Sequence, residues 1–182
     1  MTDVDERFNR LMDVLDQPMI VVTTASAGAR AGCLVGFHAQ IGIEPPTYAV
    51  WLSKANHTYR IGALAETFAV HVLGRDDRGL AELFGQRTGD EVDKFESCRW
   101  TEGPDGVPLL DDCANRFVAT RTAWLDPGTD HVCVALRPIA VDVEERPGEV
   151  GVLPFSSVRD LDPGHGAEER QRPIPADEPA GS

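Results

Sequence analysis

The chain has 182 residues, enough for one domain with an appended tail. Hydrophobic residues make up 42% of it, enough for a core, yet no apolar run approaches the roughly 20 residues of a membrane-spanning helix. Seventeen basic against 30 acidic residues give a formal charge of −13, which argues against a nucleic-acid binder, because such a protein needs a basic face.

The start, Met1-Thr2-Asp3-Val4-Asp5-Glu6, is acidic and lacks the basic-then-apolar layout of a signal peptide, so the expectation is a cytoplasmic protein with no membrane contact. Phe8, Leu11, Met12 and Leu15 fall at helical spacing and predict a short amphipathic helix over Glu6 to Leu15, stopped before Pro18. Met19 to Thr24 is apolar and β-branched and reads as a buried strand. Arg30 to Ile43 is strand-like but punctuated by Gly32, Gly36 and Gly42, and glycines within a strand mark a bulge or the close approach of a ligand or another backbone. Tyr48 to Ser53 and Phe68 to Leu73 read as strands, His57 to Ala65 and Arg78 to Gln86 as helices. The turn-rich stretch from Thr88 to Asp112 predicts an excursion over the surface. Two long strands, Ala114 to Leu125 and His131 to Glu145, flank Asp126-Pro127-Gly128-Thr129-Asp130, and Val150 to Phe155 is expected to close a barrel. Residues 156–182 are rich in Pro, Gly and charge and predict a mostly mobile tail after a domain spanning residues 1–155. Many short strands with few helices define a mainly β fold with added helices, a barrel or a sandwich.

The four cysteines form no C-x-x-C pair, and Cys33 and Cys133 sit in apolar runs as small core residues. His38, His57, His71 and His131 are scattered without metal-ligand spacing, so no metal site is expected. Neither a G-x-S-x-G elbow nor a phosphate-binding G-x-x-x-x-G-K-[ST] loop is present. The Ser53-Lys54-Ala55-Asn56-His57-Thr58 run opens a helix directly after a strand, where free backbone N–H groups and the helix dipole favour an anion. The same residues also fit a plain helix cap, with Asn56 satisfying the first amides.

An ordered set of motifs runs through the chain: Ile43-Glu44-Pro45-Pro46, Asn56-His57-Thr58, Phe68-Ala69-Val70-His71-Val72-Leu73, Leu80-Ala81-Glu82-Leu83-Phe84, Lys94-Phe95 and Gly128-Thr129-Asp130-His131. In this order the chain resembles the flavin reductase family from about Asp13 to Pro154. The resemblance implies an FMN-binding split β-barrel, a homodimer, and hydride transfer from NAD(P)H to FMN or FAD, with reduced flavin passing to a partner monooxygenase. It implies a ring-lining segment of Gly32, Cys33, Leu34, Val35, Gly36 and Phe37, and phosphate contacts from Ser53, Lys54, Asn56, His57 and Thr58. Phe84 and Lys94 are implied as further cofactor contacts, beside the simpler readings of a core phenylalanine and a solvated lysine. His131 is implied as the residue that positions the nicotinamide or assists proton movement, oriented by Asp130, beside the reading of a turn histidine capping a strand. The family's polar ring-binding pattern Thr-x-Asn/Ser-Ser is replaced by Leu34, Gly36 and Phe37, which leaves room for a deazaflavin enzyme of the same fold; a flavin-binding protein without turnover is a separate alternative.

Overall fold

A computed structural model describes residues 2–143 and 151–162. The β-branched run after Met19 forms β1 (Ile20–Ser26), whose first five residues are buried. It turns back through Ala27 and Gly28, both at positive φ, into β2 (Ala29–Val35). Two consecutive left-handed residues match the right-handed twist of the paired strands, which is why a glycine stands at the second. The segment after Val35 breaks at Gly36 and Phe37 and resumes as β3 (His38–Ile43), so the expected single strand is two. A Glu44–Pro45 turn with a cis peptide leads to β4 (Pro46–Ser53). Then follow α2 (His57–Leu64), β5 (Thr67–Val72), α3 (Arg78–Gln86), the short hairpin β6 (Trp100–Glu102) and β7 (Pro108–Leu110), and the long pair β8 (Arg116–Leu125) and β9 (His131–Asp142).

Seven strands form one antiparallel sheet in the order β2-β1-β5-β8-β9-β4-β3. Cys33 and Val35 of β2 share a buried cluster with Val50 and Leu52 of β4, although four strands separate the two in the sheet order. The sheet therefore curls until its ends converge around one core, in keeping with the split barrel that the resemblance implies. A second buried layer covers the outer face of β1 and β2: Met19 and Val21 pack with Ala81 and Phe84 of α3, with Phe95 and Leu110, and with Leu153 and Val158.

Four further expectations change. The N-terminal helix α1 (Asp3–Met12) starts earlier, because Thr2 and Asp5 form a reciprocal cap: the Thr2 N–H donates to Asp5 at 2.7 Å and the Asp5 N–H to Thr2 Oγ1 at 3.2 Å. The stretch after Thr88 is not a plain surface excursion: Phe95 and Leu110 are buried in the outer layer, Lys94 is buried between β2 and α3, and Val107 is buried against Ala69 and Val118. Of the segment Val150 to Phe155 expected to close the barrel, Val150 lies outside the described residues, and 151–155 make isolated bridges instead, Gly74 to Val152 and Pro18 to Pro154, on the outer layer. The packed chain continues past Phe155, with Val158 buried and Arg78 holding the Ser157 carbonyl and Asp160. The remainder of the expected tail, 163–182, lies outside the described residues.

His71, on β5, is fully buried and structural. Its Nδ1 donates to the Val21 carbonyl at 3.2 Å, and its Nε2 accepts the Leu110 N–H at 3.0 Å. This one imidazole ties the β6–β7 hairpin to the barrel. Cys33 is buried as expected, whereas Cys133 is only half-buried.

Candidate functional site

The end of β4 and the start of β9 meet at one rim of the sheet, where Ser53 pairs with His131. From there the backbone turns tightly into α2. The Lys54 N–H donates to the Asp130 carbonyl at 2.9 Å and the Asn56 N–H to the Ser53 carbonyl at 3.0 Å. The Phe37 carbonyl accepts the Trp51 N–H at 2.9 Å, which brings Phe37 to the same rim. The Phe37 ring is 63% exposed and meets the His131 imidazole edge-on at 5.4 Å between centroids. The His131 Nδ1 lies 3.0 Å from Asp130 Oδ1. A carboxylate at Nδ1 holds the proton there in the neutral ring and leaves Nε2 for other partners. The rim thus joins Phe37, Ser53, Lys54 and His131, and the bond from Asn56 to Ser53 carries the chain from it into α2, whose His57 turns to Asp90 instead.

The first turn of α2 gathers polar groups. Asn56 is its N-cap, its Oδ1 accepting the Thr58 N–H at 3.1 Å, so that the capping function of this side chain is real. The Thr58 side chain is buried beside Cys33, and its Oγ1 lacks a hydrogen bond of acceptable geometry. His57 and Arg60, one helical turn apart, both bind the carboxylate of Asp90. Partial burial pushes the Asp90 carboxyl up, but the hydrogen bonds from Arg60 and His57 outweigh it and hold it down to about 2. Lys54 is paired with Asp126 at 2.8 Å. Asp90 and Asp126 carried no motif in the sequence; each acts through a partner far along the chain.

The other expected contacts turn inward. Phe84 is 1% exposed and stacks edge-on against Phe95 in the outer layer. Lys94 is 4% exposed and donates to the carbonyls of Gly32 at 3.0 Å and Phe84 at 3.1 Å. Burial pushes its pKa down, against the favourable effect of Cys33. It is a buried staple between β2 and α3 rather than a solvated lysine. Gly32 makes room for Phe84: a Cβ there would stand 2.8 Å from Cε1. Cys33 and Val35 are core residues, Leu34 packs against Gly85, and Gly36 lies near Met19. Of the ring-lining segment, Phe37 alone presents a large exposed side chain. A cleft of about 270 Å³ lies along Gly28–Gly32 and the loop at 89–95.

A mainly β, partly open barrel with polar groups gathered at a helix start beside a strand end is the class defined so far. The chain matches the flavin reductase like domain family over residues 12–160, and it belongs to that family. It is 29% identical over 125 residues to a Rhizobium meliloti (strain 1021) protein named "Probable flavin reductase", covering 66% of this chain and 39% of that protein. It is 29% identical over 110 residues to the FMN reductase (NADH) RutF of Methylorubrum extorquens, covering 60% of this chain and 53% of the relative. The chain thus spans about half or less of the length of these two curated relatives. Among solved structures it resembles the NADH:FAD oxidoreductase SgcE6 of Streptomyces globisporus (TM-score 0.68, 20% identity, 84% of this chain and 89% of the other). It also resembles a nitrilotriacetate monooxygenase component B homologue of Mycobacterium thermoresistibile (TM-score 0.67, 24% identity, 81% of each chain). At these identities the two structures establish the shared fold.

Proposed function

We propose that the protein is an NAD(P)H-dependent flavin reductase acting on FMN, with FAD as an alternative substrate. The observation that carries this reading is the Arg60 guanidinium and His57 imidazole in the first turn of α2, which together hold the carboxylate of Asp90. A guanidinium and an imidazole that already hold a carboxylate are chemically suited to a phosphate monoester. An exposed aromatic ring beside a histidine suits a flat heteroaromatic ligand. When bound, the flavin supplies the redox chemistry, accepting a hydride from the nicotinamide.

In this reading Arg60 and His57 would hold the phosphate, and Asn56 caps the helix that carries them. Phe37 would shield the ring from water, and His131, held by Asp130, would position the nicotinamide. Phe84 and Lys94 are left with structural roles. Relatives named FMN reductase (NADH) and a neighbour named as a monooxygenase component support reduction of flavin for a partner monooxygenase. A homodimer is supported by apolar side chains on the surface, among them Ile43 at 86% exposure, and by α1, which buries none of its residues. The cytoplasm, where NAD(P)H is supplied, is the compartment this reaction requires.

The test is titration of the protein with FMN and with riboflavin, which lacks the phosphate. Arg60→Ala should weaken FMN by about 1–3 kcal/mol, a lost charge-assisted contact, and leave riboflavin unchanged. Equal binding of the two flavins by the wild-type protein would overturn the phosphate assignment.

A further inference from the structure

Asp90 stands on the loop after α3, and its carboxylate faces the Arg60 guanidinium and the His57 imidazole of α2. Its Oδ1 lies 2.9 Å from His57 Nδ1, and both oxygens meet Arg60 Nη2. Thr88 supports it, with Oγ1 donating to Asp90 Oδ2 at 3.3 Å and accepting the Asp90 N–H at 3.2 Å. Gly89 is pressed against the imidazole of His57: a Cβ there would stand 2.8 Å from Cδ2. The loop can lie this close only because position 89 has no side chain. Gly89 also lines the cleft along Gly28–Gly32. A single short loop therefore stands between the Arg60–His57 pair and the cleft, and it presents an anion to the pair.

A carboxylate and a phosphate monoester ask for the same donors. The side chains of His57, Arg60 and Asp90 are 22%, 33% and 45% exposed, so solvent screens the contact and it is readily exchanged. We propose that Asp90 is an intramolecular stand-in for the flavin phosphate: its carboxylate occupies the Arg60–His57 pair until the phosphate of FMN displaces it, and the loop at 88–92 moves aside as that happens. This rests on the phosphate assignment above. Competition from Asp90 holds FMN affinity below what Arg60 and His57 alone would give. That suits a flavin that binds as a substrate and leaves once reduced.

The experiment measures FMN and riboflavin affinity, by flavin fluorescence, for the full chain and for Asp90→Asn and Asp90→Ala. Both variants should bind FMN about fivefold more tightly than wild type, and riboflavin unchanged, on the scale of one exposed ion pair. Gly89→Ala, which keeps Asp90 but forces the loop off His57, should shift FMN affinity in the same direction. Where wild type prefers FMN to riboflavin but the Asp90 variants bind FMN equally or more weakly, the competition is wrong and the phosphate assignment stands. Where wild type does not distinguish the flavins and Arg60→Ala changes neither, the assignment falls and this inference with it.

Discussion

Ser53, the last residue of β4, lies directly across the sheet from His131, the first residue of β9. The pairing sets the imidazole on a strand end rather than on a free loop, and the ladder behind it runs unbroken from Ser53–His131 to Tyr48–Leu136. Residues held this way keep their geometry without help from a ligand.

The His131 ring is tied to Asp130 and touches Phe37, and it belongs to neither large core cluster. His131→Ala should therefore leave thermal stability near wild type. It should lower kcat/KM for NAD(P)H by about 10- to 100-fold, the scale of a lost positioning contact. Steady-state kinetics at saturating FMN, beside a melting curve, checks both. Wild-type kinetics in the variant would remove His131 from the mechanism.

His71 makes stability depend on pH. Burial pushes its pKa down to about 4, the hydrogen bond to the Val21 carbonyl opposes this, and Arg116 reinforces it. The unfolded chain binds a proton at about 6.5 and the folded chain only near 4. As pH falls through that window the unfolded state takes up a proton that the folded state refuses, so stability declines from 6.5 to about 4 and levels off below. The full loss from this group is about 3 kcal/mol. Urea unfolding at a series of pH values should show the decline. His71→Leu should flatten it, at the cost of an orphaned Leu110 N–H worth about 1–3 kcal/mol.

Lys94 and Gly32 test whether the seam between β2 and α3 is structural. Lys94→Ala removes the donor to two buried carbonyls and leaves a void, a loss of about 2–4 kcal/mol. Gly32→Ala drives a methyl group into the Phe84 ring, which is pinned by Phe95, and should cost about 1–3 kcal/mol. Both losses would appear in denaturant midpoints. FMN affinity of folded Lys94→Ala should match wild type; a large drop would return Lys94 to the binding site.

The barrel strands and α3 were legible because alternation, β-branching and 3–4 spacing are local signals; Arg78–Gln86 has the bounds its apolar spacing predicts. The burial of Lys94, Phe95, Val107 and Leu110 was not, since prolines, glycines and a buried lysine carry no periodicity. The site divides in the same way. The cap at Asn56 and the Asp130–His131 pair join near neighbours and can be read locally. The contact of Asp90 with His57 spans 33 residues and exists only once the loop after α3 folds back over α2. Lys54 meets Asp126 across a still longer separation, and no local pattern announces it.

The most direct test is NAD(P)H oxidation by the purified protein, followed at 340 nm with and without added FMN. The account predicts turnover that rises with FMN and saturates. Absence of turnover with FMN and FAD, with either nicotinamide, would contradict it.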